Sequence, residues 1–173
     1  MAALGPKVTF GARRLALVGG PITGHHEAMR LDHNGLEVLD RDECLRLLGG
    51  AVIGRVGVSS GALPRVLPVN FRLDGDRILI RTSRGTKLDA ATANAVVAFE
   101  VDEIDPVNQT GWSVLITGVA REVTDPDELA EVRAEPLARW APPGPNDRVM
   151  AISTELVDGR RILRAGAGAA VTP

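Results

Sequence analysis

The chain has 173 residues, 45 % of them apolar, and a formal net charge of −2 in which 20 Lys/Arg and 22 Asp/Glu are interspersed. That is one domain's length with enough apolar residues for a core; the balanced charge argues against nucleic acid as the main partner, because phosphate backbones select a basic face. No apolar run approaches the roughly 18 residues of a membrane span, and a lone cysteine, Cys44, supports neither an internal disulfide nor a metal cluster, so the chain reads as soluble and cytoplasmic.

Residues 1–35 hold scattered Gly and Pro without a sustained period. They read as a disordered N-terminal tail, and Met29 is an alternative start. "LALVGG" after Arg13 and Arg14 is too short for an export signal. "HHEAMRLDH" lacks the second His that H-E-x-x-H requires, so no metal is expected there. The domain is expected over 36–164, with a flexible C-terminal tail at 165–173.

"LDRDECLRLLGG" predicts the first helix. Asp40 is the N-cap, Glu43 sits three residues on, and Cys44, Leu45 and Leu48 form the apolar stripe. Gly49 and Gly50 are expected to stop it. Strands follow: "AVIGRVGVS", then "RVLPVNFRL" after the turn "SGALP", then "RILIRT" after the hairpin turn "DGD" at 74–76. A short alanine-rich helix is expected after Lys87, then the strand "AVVAFEVD". A polar loop over 103–111 leads to "WSVLITGVAREV". Asp125 caps a second helix with Pro126 at its first position, and Trp140 is expected to pack that helix down. "RVMAISTELVDGRRILR" is expected to end the domain as a strand, a turn at Asp158-Gly159 and a short strand. Six or seven strands with few helices predict an antiparallel barrel, which leaves no unpaired edge.

The chain has no tyrosine, and its three histidines, His25, His26 and His33, precede the first strong element. The domain therefore lacks the usual general acids and bases near neutral pH. A Ser-His-Asp or Cys-His hydrolase is not expected, and the chemistry is assigned to something bound. Arginine outnumbers lysine 18 to 2, and Lys87 is the only lysine after Lys7.

The stretch "IRTSRGTKLDAA" gathers Arg81, Thr82, Ser83, Arg84, Thr86 and Lys87 at one strand-to-helix corner. Walker A and Rossmann spacings are both missing. Hydroxyls, a lysine and free N–H groups at a helix start suit a terminal phosphate; alone, the corner reads equally well as a solvated loop. In "LPVNF", Pro68 signals an edge or bulge, and Asn70, bulged and aimed inward, could hydrogen-bond a planar ring or mark a strand irregularity. Trp112, in "TGWSV", packs on a ligand, on a partner or on the rim of the core. "EVDEID" reads as a solvated acidic turn rather than a metal cage. Arg160 and Arg161 alternate faces, so one could point at a ligand.

Taken in order, "GRVGVSS…LPRVLPVNFRLDGDRILIRTSRGTKLDAA…VVAFEVDEIDPVNQTGWSVLITGVAREV" resembles the pyridoxamine 5′-phosphate oxidase-like family of flavin-binding split barrels. The resemblance spans roughly residues 38–163 and is strongest to an actinobacterial branch related to nitroimidazole-resistance proteins. It implies a mainly β fold: a six-stranded antiparallel split β-barrel of Greek-key type with a few short peripheral helices. It also implies a homodimer with an FMN site at each subunit interface and no metal. Arg81, Thr82, Ser83, Thr86 and Lys87 would hold the flavin phosphate, and Pro68, Val69 and Asn70 would lie along the ring. Gln109, Trp112 and Ser113 would come from the neighbouring subunit. Arg81 stands where many relatives have a histidine, which weakens transfer of nitroimidazole reduction. The C-terminal Trp and Arg-x-His pattern of vitamin B6 oxidases is absent, so that activity is not expected. The function implied is hydride or electron transfer to a small molecule, the protein supplying position and electrostatics, with Arg160 or Arg161 as a candidate cation near the ring. Two alternatives stay open. One is an F420-dependent reductase with Arg65 and Arg84 widening a basic groove; the other is a non-catalytic flavin or haem carrier or redox sensor, haem being disfavoured by the missing axial His.

Overall fold

A computed structural model of the chain describes residues 29–60, 62–83, 94–134 and 147–164. The expectations for Arg84, Thr86, Lys87, the helix after Lys87 and Trp140 lie outside the described residues. The elements run β1 (Glu37–Leu39), α1 (Arg41–Gly50), β2 (Ile53–Ser60), β3 (Leu63–Asp74), β4 (Arg77–Ser83), β5 (Ala95–Asp105), β6 (Thr110–Glu122), α2 (Pro126–Ala134), β7 (Asp147–Ser153) and β8 (Leu156–Ile162).

β6 explains the architecture. Along one edge it pairs with β5 from Asp105↔Thr110 to Ala95↔Ala120. Its other edge is shared: Gly111–Thr117 pair with β8 and Ala120–Glu122 with β7. From β7 the ladder continues through β4, β3 and β2 back to β5, so six strands close into an antiparallel barrel while β8 and β1 extend the sheet outside it. Gly118 sits at the point of division. A Cβ there would lie 2.1 Å from the Ser153 carbonyl oxygen, so only glycine lets β6 pass from one neighbour to the other.

The barrel interior is packed with aliphatic side chains around an edge-to-face pair, Phe71 and Phe99, whose centroids are 4.9 Å apart. A smaller core lies on the outside of β4 and β7, where Leu79, Val149 and Ala151 meet Val123 and Val132 under α2. Both helices start as their sequences require. Asp40 accepts the Glu43 N–H at 2.8 Å, and Asp125 accepts those of Asp127 and Glu128 at 3.1 and 2.9 Å. Cys44 and Leu48 are the buried residues of α1, with Leu45 partly buried against the same core.

Four local expectations are corrected. The turn expected at Asp158-Gly159 lies inside β8, and the chain reverses at Thr154 and Glu155 instead. Gly159 is there for clearance against α1, because a Cβ would sit 2.4 Å from Cys44 Sγ. The turn carries no glycine; the Thr154 hydroxyl donates to the Asp76 carbonyl at 2.6 Å, and the Arg41 guanidinium donates to the Thr154 carbonyl and hydroxyl oxygens. The loop expected over 103–111 shrinks to a turn at 106–109, with Glu103–Asp105 closing β5 and Thr110 opening β6; the acidic "EVDEID" is strand, where Arg55 answers Glu100 and Asp102 from the neighbouring β2. Of the two readings of Pro68 the edge holds and the bulge does not: the β2–β3 register runs unbroken from Ile53↔Asn70 to Ser60↔Leu63. Phe71 donates its N–H to Val52, so by alternation the Pro68 nitrogen faces the other edge, where β4 pairs only with Phe71–Asp74. Finally, α1 runs through both Gly49 and Gly50, neither at positive φ, and ends when Ala51 turns extended.

Candidate functional site

The candidate phosphate and ring residues lie on adjacent strands, and strand alternation decides which of them meet. Phe71 and Ile80 are cross-strand partners, and both side chains enter the barrel. Their neighbours Asn70 and Arg81 therefore share the opposite, outer face, so the Asn70 amide aims outward and not inward as expected, because the unbulged strand keeps its alternation. Pro68 and Ser83 follow on that face by the same two-residue period. Asn70, Arg81 and Ser83 are half-buried, and Pro68 is exposed. The outer face of β3 and β4 thus gathers an amide, a guanidinium and a hydroxyl beside a proline. Asn70, Arg81, Thr82 and Ser83 each engage a neighbour within the chain.

The other members of the set point inward. Thr82 is a buried polar residue of β4, and Val69 packs against the main core. Their side chains serve the barrel; toward the outer face they offer only backbone. Arg65 shares the inward parity of Val69 and pairs with Val58, so it stands on the opposite face from Asn70 and Arg81 and does not widen a basic groove there.

The remaining candidates ride on the β5–β6 hairpin. β2 pairs with β5 only over Ala98–Glu100, so the hairpin continues past β2 with β8 alone along its flank. Its tip is held by Asp105, whose Oδ1 accepts the N–H groups of Val107 and Asn108 at 2.9 and 3.1 Å and whose Oδ2 accepts the Asn108 amide at 2.6 Å. The Asn108 bonds hold the Asp105 carboxyl below its ordinary pKa. Gln109 is exposed at φ +53°, a left-handed position for a non-glycine residue. Trp112 and Ser113 are consecutive and face opposite ways. Trp112 packs on the main core and donates its indole N–H to Glu103 at 3.3 Å. Ser113 lies on the outer face between Asp102 and Arg160.

The two candidate cations near a ring are engaged. Arg160 pairs with Asp32 at 3.3 Å. Arg161 pairs with Glu37 at 3.1 Å and with Glu43. Arg46 first, then Arg161, hold the Glu43 carboxyl down to about 2. Sequence reasoning missed Glu37, Glu43 and Asp32 as partners because they reach Arg160 and Arg161 across more than a hundred residues of chain. Among the described residues no cluster of His, Cys, Asp and Glu is arranged to hold a metal ion.

Residues 40–161 match the pyridoxamine 5′-phosphate oxidase family. The chain belongs to that family. An uncharacterized protein of Mycobacterium tuberculosis is 41 % identical over 133 residues, 72 % of this chain and 84 % of its own length. The structure of an FAD-binding protein from Mycobacterium smegmatis is 33 % identical and covers 72 % of this chain and 97 % of its own, with a TM-score of 0.63. A conserved protein of unknown function from Corynebacterium diphtheriae is 29 % identical and covers 74 % and 98 %, with a TM-score of 0.62. Membership of the pyridoxamine 5′-phosphate oxidase family sets the fold, and the residues on its outer face bear on what this member does with it.

Proposed function

We propose that the chain binds a flavin and acts as an oxidoreductase on a small molecule. The observation that carries this reading is the shared outer face of Asn70, Arg81, Ser83 and Pro68. The donor set suits the group: a guanidinium binds a phosphate through two parallel N–H bonds, a hydroxyl adds a third donor, and an amide can answer the carbonyl and N–H edges of a ring. A bound flavin would supply the hydride and electron transfer. The chain's own residues hold and orient. Arg81 and Ser83 would anchor the phosphate end, joined by Thr86 and Lys87. Asn70 would set the plane of the ring, and Pro68 presents no N–H on that edge. The domain offers few side chains for proton chemistry near neutral pH, since Cys44 is buried and burial pushes its thiol pKa up.

The first reading for the cofactor is FMN. The FAD-binding relative at 33 % identity favours FAD as a second. F420 gains nothing from Arg65, which faces the other way.

The site is completed by a second copy of the chain. On the outer sheet face the register sets Val66, Gly57, Ala98, Thr117 and Leu156 in one cross-strand row. Val66, Val96, Leu115, Val119 and Leu156 are 42–69 % exposed there. Gly57 and Ala98 keep the middle flat, and Arg55 beside Glu100 and Asp102 offers both charge signs to a two-fold related copy. The Gln109 hairpin and Ser113 would then reach the partner's cofactor.

Flavin fluorescence titration tests the phosphate anchor. A charge-assisted hydrogen bond contributes about 1.5–3 kcal/mol, so Arg81→Ala and Lys87→Ala should each weaken flavin binding by roughly 10- to 150-fold. Unchanged affinity in both variants would remove the reading.

A further inference from the structure

The outer sheet face has charge at its centre and aliphatic side chains on both flanks. Arg55, Glu100, Leu115 and Asp158 form one cross-strand row. To one side of it stand Val66, Val96, Val119 and Leu156, all exposed. To the other, the register sets Ile104, Gly111 and Ile162 in a row, and the two isoleucines are 55 % and 41 % exposed. A body that covers both aliphatic flanks also covers the charged centre.

That centre carries more negative than positive charge. A single nitrogen, Arg55 Nη1, donates to Glu100 at 2.9 Å and to Asp102. The charges that face Glu100 are therefore Arg55 from β2 and Asp102 from β5. Asp158 on β8 lies beyond Leu115 and is exposed. β6 presents only the uncharged Ser113, Leu115 and Thr117, and Pro68 closes the row on β3. Arg160, beside Ser113, is paired with Asp32. Burial holds the Glu100 carboxyl above its ordinary pKa; the Arg55 bond lowers it, and the Asp102 charge raises it again.

We propose that the pairing of two copies on this face is proton-linked: covering the face puts a proton on Glu100, so acidification tightens the dimer. The inference rests on the two-copy reading of the face and names what regulates it. Each copy brings one guanidinium against two carboxylates, so the excess is negative on both sides of the contact. Removing water from a carboxylate without a full counter-charge disfavours its charged form. With Glu100 protonated, Arg55 and Asp102 remain as a balanced pair, and the Glu100 carboxyl gains a hydrogen to donate. A group whose pKa is higher in the dimer than in the free chain binds protons on association. Association then strengthens as pH falls through the dimer's pKa and levels off below that of the free chain.

Sedimentation velocity of the full-length protein over a dilution series gives the dimer Kd at about pH 7.5 and about pH 5.5, both above the range in which Glu43 gains its proton. The Kd should fall about tenfold or more at the lower pH, since each of the paired Glu100 carboxyls contributes up to about tenfold for each unit its pKa rises. Glu100→Gln carries no charge at either pH. It should pair at the higher pH about as tightly as the unchanged protein does at the lower, and lose most of the pH dependence. Asp102→Asn leaves Arg55 to Glu100 alone and should move the dependence to lower pH. Circular dichroism verifies that both variants fold. A dimer with the same Kd at both pH values, or a pH dependence that Glu100→Gln leaves in place, would overturn the proposal while the two-copy reading stands. A chain that stays monomeric at both pH values and in both variants would overturn the two together.

Discussion

Gly159 of β8 lies directly against Cys44 of α1, so closely that a Cβ at position 159 would stand 2.4 Å from Cys44 Sγ and 2.9 Å from Leu39 Cβ. The first helix is thereby seated on the strand that extends the barrel. Gly159→Ala should destabilise the fold by about 1–3 kcal/mol through overpacking, read as a lower denaturation midpoint with unchanged slope. Cys44→Ala in the same chain should recover part of that loss, because one of the two clashing atoms is gone. Additive effects in the double variant would contradict the contact.

Glu43 ties α1 to β8, accepting from Arg46 within α1 and from Arg161 on β8. Its carboxyl is held at about 2, below the usual 4.5. A depressed folded-state pKa means stability that is complete above the unfolded value and lost as the proton returns. Stability should therefore fall between about pH 4.5 and pH 2. Glu43→Gln should flatten that part of the profile while lowering stability at neutral pH. An unchanged acid slope would count against the network.

Gln109 holds φ +53° at the tip of the β5–β6 hairpin. A left-handed conformation costs a non-glycine residue roughly 1–2 kcal/mol, so Gln109→Gly should stabilise the chain by up to about 1 kcal/mol once the unfolded-state entropy of glycine is subtracted. The same change removes an amide proposed to reach the partner's flavin, so affinity should fall as stability rises. Parallel movement of the two would separate Gln109 from the cofactor.

The exposed aliphatic face makes a prediction about assembly. Leu115 and Val119 point outward from β6 while their neighbours Val114, Ile116 and Ala120 are buried. Leu115→Asp with Val119→Asp should leave the barrel folded by circular dichroism and convert a dimer to a monomer by light scattering. A dimer that survives both changes would place the interface elsewhere.

Much of the fold was legible because its signals are local. Asp40 and Asp125-Pro126 announced their helices, and Gly75 its hairpin, now seen at φ +60°. What could not be read depends on contacts distant in sequence. Asp158-Gly159 carries the same dipeptide signal as a hairpin turn, yet its glycine answers Cys44 more than a hundred residues away. β1 is three residues long and exists because the edge of β8 is there to pair with. For the site, the residue types at the corner were legible, but their sorting was not. Alternation sends Thr82 and Val69 inward and leaves Arg81, Ser83 and Asn70 outward, and that assignment needs the register of β3 on β4.

Whether this barrel carries a flavin is read from the absorbance spectrum of the purified, concentrated protein, with mass spectrometry of the small molecule released on denaturation. The expected result is a flavin spectrum and the mass of FMN or FAD, in about one equivalent per chain if each dimer holds two sites. A protein that comes off the column without chromophore, and that shows no binding when titrated with FMN or FAD, would contradict it.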